Sequence, residues 1–304
     1  MLTPELLQKV KRIEITTRKI VDDVMTGQYR SHFKGHGVQF SEHRQYVPGD
    51  DIRHIDWKVS ARVSEPLIKK FEEERELTVF LVVDVSASKG FGSSKKLKSE
   101  VAAEIAGMLA YAAVHTGDKV GVLLFSDRVE RIIPPKKGRT HIQRIIRDVL
   151  AHKSPEPVIG TADKKKISSG TNLREALDAT QRIMKHCGVV FLISDFMAVD
   201  YGIALRRLAR RHDVVGVRVA DEREMVMPSV GSLWLVDPES GQERFVDTSS
   251  YNFKSLFERA SAEFELQTSE ALKGGRVEWL RVLTKEDYAE AVVRFFRARS
   301  RKRR

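Results

Sequence analysis

The 304-residue chain contains a single cysteine, Cys187, so no internal disulfide can staple it. One thiol favours a reducing compartment. Its place just ahead of the apolar run Val189–Ile193 marks it as a small buried hydrophobe. No stretch of about 20 apolar residues occurs, which leaves no candidate transmembrane helix. The opening segment, MLTPELLQKVKRIEITTRKI, alternates charged and apolar side chains. It lacks the unbroken apolar core of a secretory signal, and the expected location is cytoplasmic.

Several chemistry-bearing motifs are also missing. Neither GxSxG nor HExxH occurs. Gly90-Phe-Gly92-Ser-Ser-Lys95 has the outline of a phosphate loop but fits neither GxxxxGK[ST] nor GxGxxG. There is no internal repeat.

What is present is an ordinary globular composition, 41% hydrophobic and 31% charged. The net charge of +11 is unevenly spread, because Arg294–Arg304 holds seven Lys/Arg and no acid. That end reads as a solvated, frayed terminus. A second reading gives it peripheral contact with anionic lipid or an acidic partner. No reader motif or aromatic platform accompanies the charge, so specific nucleic-acid binding is not expected.

Thr3 and Pro4 can start a helix that the spacing of Leu6, Val10, Ile13 and Val24 carries to near Gly27. Residues 35–66 show little periodicity and read as an irregular segment with short strands. Buried strands are expected at Leu77–Val83, Val120–Phe125, Val189–Ile193 and Val214–Val219. Helices are expected at Lys96–His115, His141–Leu150, Leu173–His186 and Ile203–Arg211. Val129–Ile133 follows its predecessor too closely for a crossover and should be an antiparallel edge strand. Leu233–Val236 and Arg244–Val246 read as a hairpin. Phe253–Leu272 reads as a helix, Val277–Leu283 as a strand and Tyr288–Arg297 as a last helix. The expected fold class is α/β, a doubly wound, mainly parallel sheet with one antiparallel edge strand. The expected organisation is an N-terminal segment 1–75 packed on the main domain, that domain at 76–222, a C-terminal extension at 223–293 and a basic tail at 294–304.

The strand Leu77–Val83 runs into Asp84-Val-Ser86-Ala-Ser88. Ligands of open parallel sheets sit beyond the carboxyl ends of the strands, and an i, i+2, i+4 turn can aim three oxygens at one point. Thr171, before the Leu173 helix, and Asp195, after Val189–Ile193, fall on the same rim. Hydroxyls and carboxylates suit Mg²⁺ or Mn²⁺, and the lack of His or Cys argues against zinc. Each residue taken singly could instead cap a helix or end a strand in a salt bridge. An enzyme reading makes Asp84 a phosphoryl-accepting nucleophile, although Ser86 stands where such enzymes need a second Asp. A further reading keeps the fold and treats the metal site as vestigial.

Asp84-x-Ser86-x-Ser88, Thr171 and Asp195 resemble, in type, order and strand context, the metal-ion-dependent adhesion site of von Willebrand factor A-like domains. The resemblance implies direct ligation by the serines, with the threonine joining directly or through water and the aspartates acting through water. It also implies an open position that accepts a partner's carboxylate. A longer block resembles the signature of the bacterial domain-of-unknown-function family fifty-eight. It comprises Glu42, Arg44, Tyr46, Pro48, Gly49, Asp50, Asp51, Arg53, Asp56 and Trp57, then Ser60-Ala61-Arg62 and Lys70-Phe71-Glu72-Glu73-Glu74. Relatives of that kind are often encoded beside a MoxR-type AAA+ ATPase, which implies a non-enzymatic adaptor or chaperone-like role with such an ATPase as partner. One departure is Lys89, where relatives often carry Met. Taken by itself, the block reads as a charge-paired cluster of Asp50, Asp51 and Asp56 with Arg44, Arg53 and Arg62. Alternatively Arg44, Tyr46, Asp50, Asp51, Arg53, Asp56 and Trp57 form a partner-docking face. His36, His43 and His54 match no ligand spacing and read as surface residues.

Overall fold

The computed structural model describes residues 4–22, 39–63, 65–72, 77–86, 88, 91–93, 96–152, 171–237 and 242–302. Expectations at Thr3, Val24, Gly27, His36, Glu73, Glu74, Lys89, Gly90, Ser94, Lys95 and Gly170 lie outside them. The chain divides into two compact units, Phe33–Leu77 and the combination of Met1–His32 with Thr78–Arg304.

The first helix, α1, spans Pro4–Ile20. The small unit holds strand β1 (Gln39–Gln45), a 3₁₀ turn at Ile52–His54, helix α2 (Trp57–Val63) and strand β2 (Leu67–Glu72). β1 and β2 pair antiparallel, with a register shift between Phe40 and Glu42.

The large unit is built on β3 (Thr78–Asp84), α3 (Lys98–His115), β4 (Lys119–Phe125), β5 (Val129–Lys136) and α4 (Arg139–Ala151). It continues with α5 (Leu173–Ile183), β6 (Val189–Ser194), α6 (Gly202–Ala209) and β7 (Asp213–Ala220). The hairpin β8 (Ser232–Val236) and β9 (Glu243–Asp247) follows, then α7 (Tyr251–Gly274), β10 (Glu278–Leu283) and α8 (Tyr288–Lys302). Six strands form one sheet in the order β10-β7-β6-β3-β4-β5. All its pairings are parallel except β4 with β5. The sheet is therefore the doubly wound α/β type, with its antiparallel strand at one edge, where β5 carries Pro134 and Pro135.

The strands are apolar on both faces because both faces are covered. On one side Phe80, Val82, Leu123, Val190 and Leu192 pack with Leu177 of α5, Leu205 and Leu208 of α6 and Leu272 of α7. The other side meets α3 and α4, and α1 packs on both of those helices. Gly107 of α3 permits that approach, since a Cβ there would stand 3.0 Å from Ile146 and 3.3 Å from Ile13. On that side Phe191 meets Phe296 of α8 edge-on at 6.1 Å.

Two expectations are corrected. Cys187 is exposed, because it lies in the connection after α5 and burial resumes only at Gly188. The basic end is not frayed over its length, since α8 stays helical to Lys302. Arg299 within it is 4% exposed, with its guanidinium on Asp213 and Glu278. Tyr288, Val292 and Phe296 precede Arg299 at helical spacing, so the core-facing stripe carries it inward.

Candidate metal centre

Counted along the chain, the six strands of the large sheet stand in the order third-second-first-fourth-fifth-sixth. The strand order reverses between the first, β3, and the fourth, β6. That crevice, beyond the carboxyl ends, is where ligands of open α/β sheets bind. Asp84 ends β3 and Ser194 ends β6, with Asp195 next.

A chain of hydrogen bonds runs across this crevice. Asp84 Oδ2 accepts from the Ser194 hydroxyl at 2.6 Å and Asp84 Oδ1 from the Ser86 N–H at 3.0 Å. The Ser88 hydroxyl donates to Asp195 Oδ2 at 2.9 Å. The Ser86 and Ser88 hydroxyls stand 3.0 Å apart, and since the Ser88 proton is committed to Asp195, Ser86 is the donor. Asp195 Oδ1 accepts from the Met197 N–H at 3.2 Å. Asp84, Ser86, Ser88, Thr171 and Asp195 are all buried, at 1%, 5%, 5%, 7% and 0% exposure. Thr171 stands just before α5, whose N-cap Asn172 donates its N–H to the Ser126 carbonyl at 2.8 Å, tying that helix start to the end of β4.

Sequence reasoning missed Lys98. It is fully buried. Its ammonium donates to Asp195 Oδ2 at 2.9 Å and to Glu224 Oε1. Burial alone would lower the Lys98 pKa, but the Asp195 and Glu224 carboxylates outweigh it and the net shift is upward. A signal existed: Lys98, Val101, Ile105, Met108 and Ala112 share one α3 stripe, and the charged residue among them had to find a buried counter-charge.

Beside this chain Asp221, fully buried after β7, takes the Ser93 N–H at 2.9 Å, the Thr284 hydroxyl at 2.6 Å, the Arg223 N–H at 3.0 Å and the Ser93 hydroxyl. Burial pushes its pKa up, but these donors prevail and hold it down at about 2. Ser93, from the segment with the outline of a phosphate loop, is thus engaged with a carboxylate.

A groove of about 980 Å³ opens on the same edge, lined by Thr171, Asn172, Phe196, Met197, Val199 and Tyr201 among others. Phe196 and Asp200 have φ of 63° and 58°, a region costly for an aromatic side chain and typical of functional loops. Between them Val199 is 83% exposed.

The donor set fits a hard divalent ion: five buried oxygen-bearing side chains with no nitrogen or sulfur. Among the described residues, no group of three or more His, Cys, Asp or Glu comes together to hold a metal. An ion here would rely on hydroxyls.

In the small unit the charge pairing is mostly as expected. Arg44 grips Asp50 with two bonds, at 2.9 and 2.7 Å, while Asp50 also accepts the Val47 N–H at 3.0 Å and closes the turn. Arg53 pairs with Asp51, which caps the 3₁₀ turn. Asp56 departs from expectation, for it pairs with His43 at 3.2 Å and Lys69 at 3.3 Å rather than with an arginine. The His43 hydrogen bond leads in lowering its pKa to about 2. Trp57 is 67% exposed, Tyr46 half-buried and His54 exposed.

A family model described as "Protein of unknown function DUF58" matches residues 42–266. An uncharacterised protein of Mycobacterium tuberculosis (strain H37Rv) is 30% identical over 301 residues, covering 98% of this chain and 91% of that one. The uncharacterised YeaD of Bacillus subtilis (strain 168) is 26% identical over 132 residues, 43% of this chain and 31% of that one. Among solved structures, the conserved hypothetical protein BatB of Bacteroides thetaiotaomicron aligns with TM-score 0.47 and 16% identity, covering 74% of this chain and 99% of that one. The SpRpn10 VWA domain aligns with TM-score 0.40 and 8% identity, covering 72% and 94%.

Proposed function

The chain belongs to the family described as protein of unknown function DUF58, and we propose that it is a non-enzymatic protein-interaction module that grips its partner through a divalent cation. The observation that carries this reading is the buried chain Asp84–Ser86–Ser88–Asp195 at the point where the strand order reverses. Ser86, Ser88 and Thr171 would present hydroxyl oxygens to Mg²⁺ or Mn²⁺, with Asp84 and Asp195 holding them in place. Bound there, the ion supplies positive charge and an open position for a carboxylate of the partner. The groove beside Thr171 supplies apolar contact area around that carboxylate.

A MoxR-type AAA+ ATPase is the partner class that the sequence resemblance implies, with an adaptor or chaperone-like role for this chain. Trp57 and Tyr46 are the docking candidates of the small unit. Arg44, Asp50, Asp51, Arg53 and Asp56 hold its turns and present charge around them. We place the protein in the cytoplasm. No described helix is long and apolar enough to cross a membrane. Arg294, Arg297 and Arg301, exposed along α8, are the residues for a peripheral membrane contact.

The test is calorimetric titration of Mg²⁺ and Mn²⁺ into chelator-treated protein, with Asp84→Ala and Asp195→Ala alongside. The expected result is one saturable site, lost in both variants. Failure of both ions to bind, alone and with a MoxR-type ATPase present, would overturn the reading.

A further inference from the structure

The rim holds a cation of its own. Lys98 is the first residue of α3, and its backbone N–H is fixed to the Phe91 carbonyl at 3.0 Å. Its side chain is wholly out of water. A buried ammonium is tolerated only with carboxylates in contact, and Lys98 has two, Asp195 Oδ2 and Glu224 Oε1. The first belongs to the candidate metal set, and the same Oδ2 takes the Ser88 hydroxyl. The second does not belong to it: Glu224 lies on the 3₁₀ turn after β7, with its side chain 14% exposed.

One ammonium with two acceptors can shift its weight between them. A divalent ion drawn to the Ser86–Ser88 hydroxyls competes with Lys98 for the charge of Asp195. Like charges at such separations repel strongly where water is excluded. Glu224 offers the ammonium a seat away from Asp195 without exposing it.

We propose that Lys98 is a resident counter-cation that sets the ion affinity of this site. It neutralises Asp195 and keeps Ser88 in place when no ion is bound, and it moves onto Glu224 when Asp195 turns to an ion. This rests on the metal-binding reading above and adds to it a residue that makes the site weak by construction. Binding of the ion then depends on the extra negative charge that a partner's carboxylate brings.

The experiment is Mn²⁺ titration into wild type, Lys98→Met and Glu224→Gln, each checked for folding by circular dichroism and thermal melting. Methionine keeps the stem on the α3 stripe and removes the charge. Lys98→Met should bind Mn²⁺ about tenfold tighter or better than wild type. Glu224→Gln confines the ammonium to Asp195 and should bind it more weakly. These opposite signs are not what a purely structural ion pair would produce. Should Lys98→Met fail to fold, the near-isosteric Glu224→Gln carries the test alone. Equal affinity in all folded proteins would overturn the role of Lys98 and leave the metal site standing. No binding in any of them would remove both.

Discussion

The Ser194 hydroxyl reaches Asp84 Oδ2 at 2.6 Å and so ties the end of β6 to the end of β3. The same hydroxyl accepts the Phe196 N–H at 3.0 Å. One side chain thus fixes both the first aspartate of the rim and the departure of the chain beyond Asp195.

Ser194→Ala removes that donor from a buried carboxylate. The expected cost is about 1–3 kcal/mol of folding stability, measured by urea unfolding, together with weaker Mn²⁺ binding than wild type. A variant whose unfolding midpoint and Mn²⁺ affinity both match wild type would show that the tie is not needed.

His212 is 4% exposed, and neither ring nitrogen has a hydrogen-bond partner among the described residues. Burial, then the Arg211 charge, pushes its pKa down to about 4. The folded state therefore keeps the ring neutral while the unfolded chain protonates it. The folded pKa lies below the ordinary 6.5, so the stabilisation is present above that pH and drains away as pH falls through 4. Wild type should lose about 3 kcal/mol more than His212→Leu between pH 7 and pH 4. Parallel acid limbs for the two proteins would contradict this.

Arg299 bridges Asp213 of β7 and Glu278 of β10 from α8, closing the far edge of the sheet. Arg299→Met keeps the apolar stem and removes the cation that Asp213 and Glu278 share, while Lys302 still reaches Glu278 at 3.6 Å. Because these are 25% and 36% exposed, the loss should be about 2 kcal/mol, below that for a fully buried pair. Hydrogen exchange should show it first in β10 and α8. Loss spread evenly over the sheet would argue against a local clasp.

The rim residues are legible in sequence because strand periodicity stops at Asp84 and again at Ser194, so the oxygens after each stop must share the carboxyl edge. The fold class follows from the same alternation of strand and helix. Lys98 and Arg299 are harder to see. Each occupies a core-facing helical position where a long stem is tolerated, and only the strands packed against it decide where its charge ends. Cys187 misleads for the opposite reason. Its apolar neighbours belong to β6, and three of the five residues between helix and strand, Lys185, His186 and Cys187, turn outward. In the small unit, Asp56 goes to His43 and Lys69 because β1 and β2 pair in register, His43 opposite Lys69. No local pattern around Asp56 contains that pairing.

Pro134 and Pro135 lie in β5, the outermost strand beside β4. Proline brings no N–H, so this two-proline stretch interrupts the row of donors where another strand would dock. That edge is chemically terminated: neighbouring molecules cannot extend the sheet there by backbone pairing, as they could along an uninterrupted strand. Assembly at that side is left to side chains, whose contacts can form and release without the slow, near-irreversible zipping of strand addition.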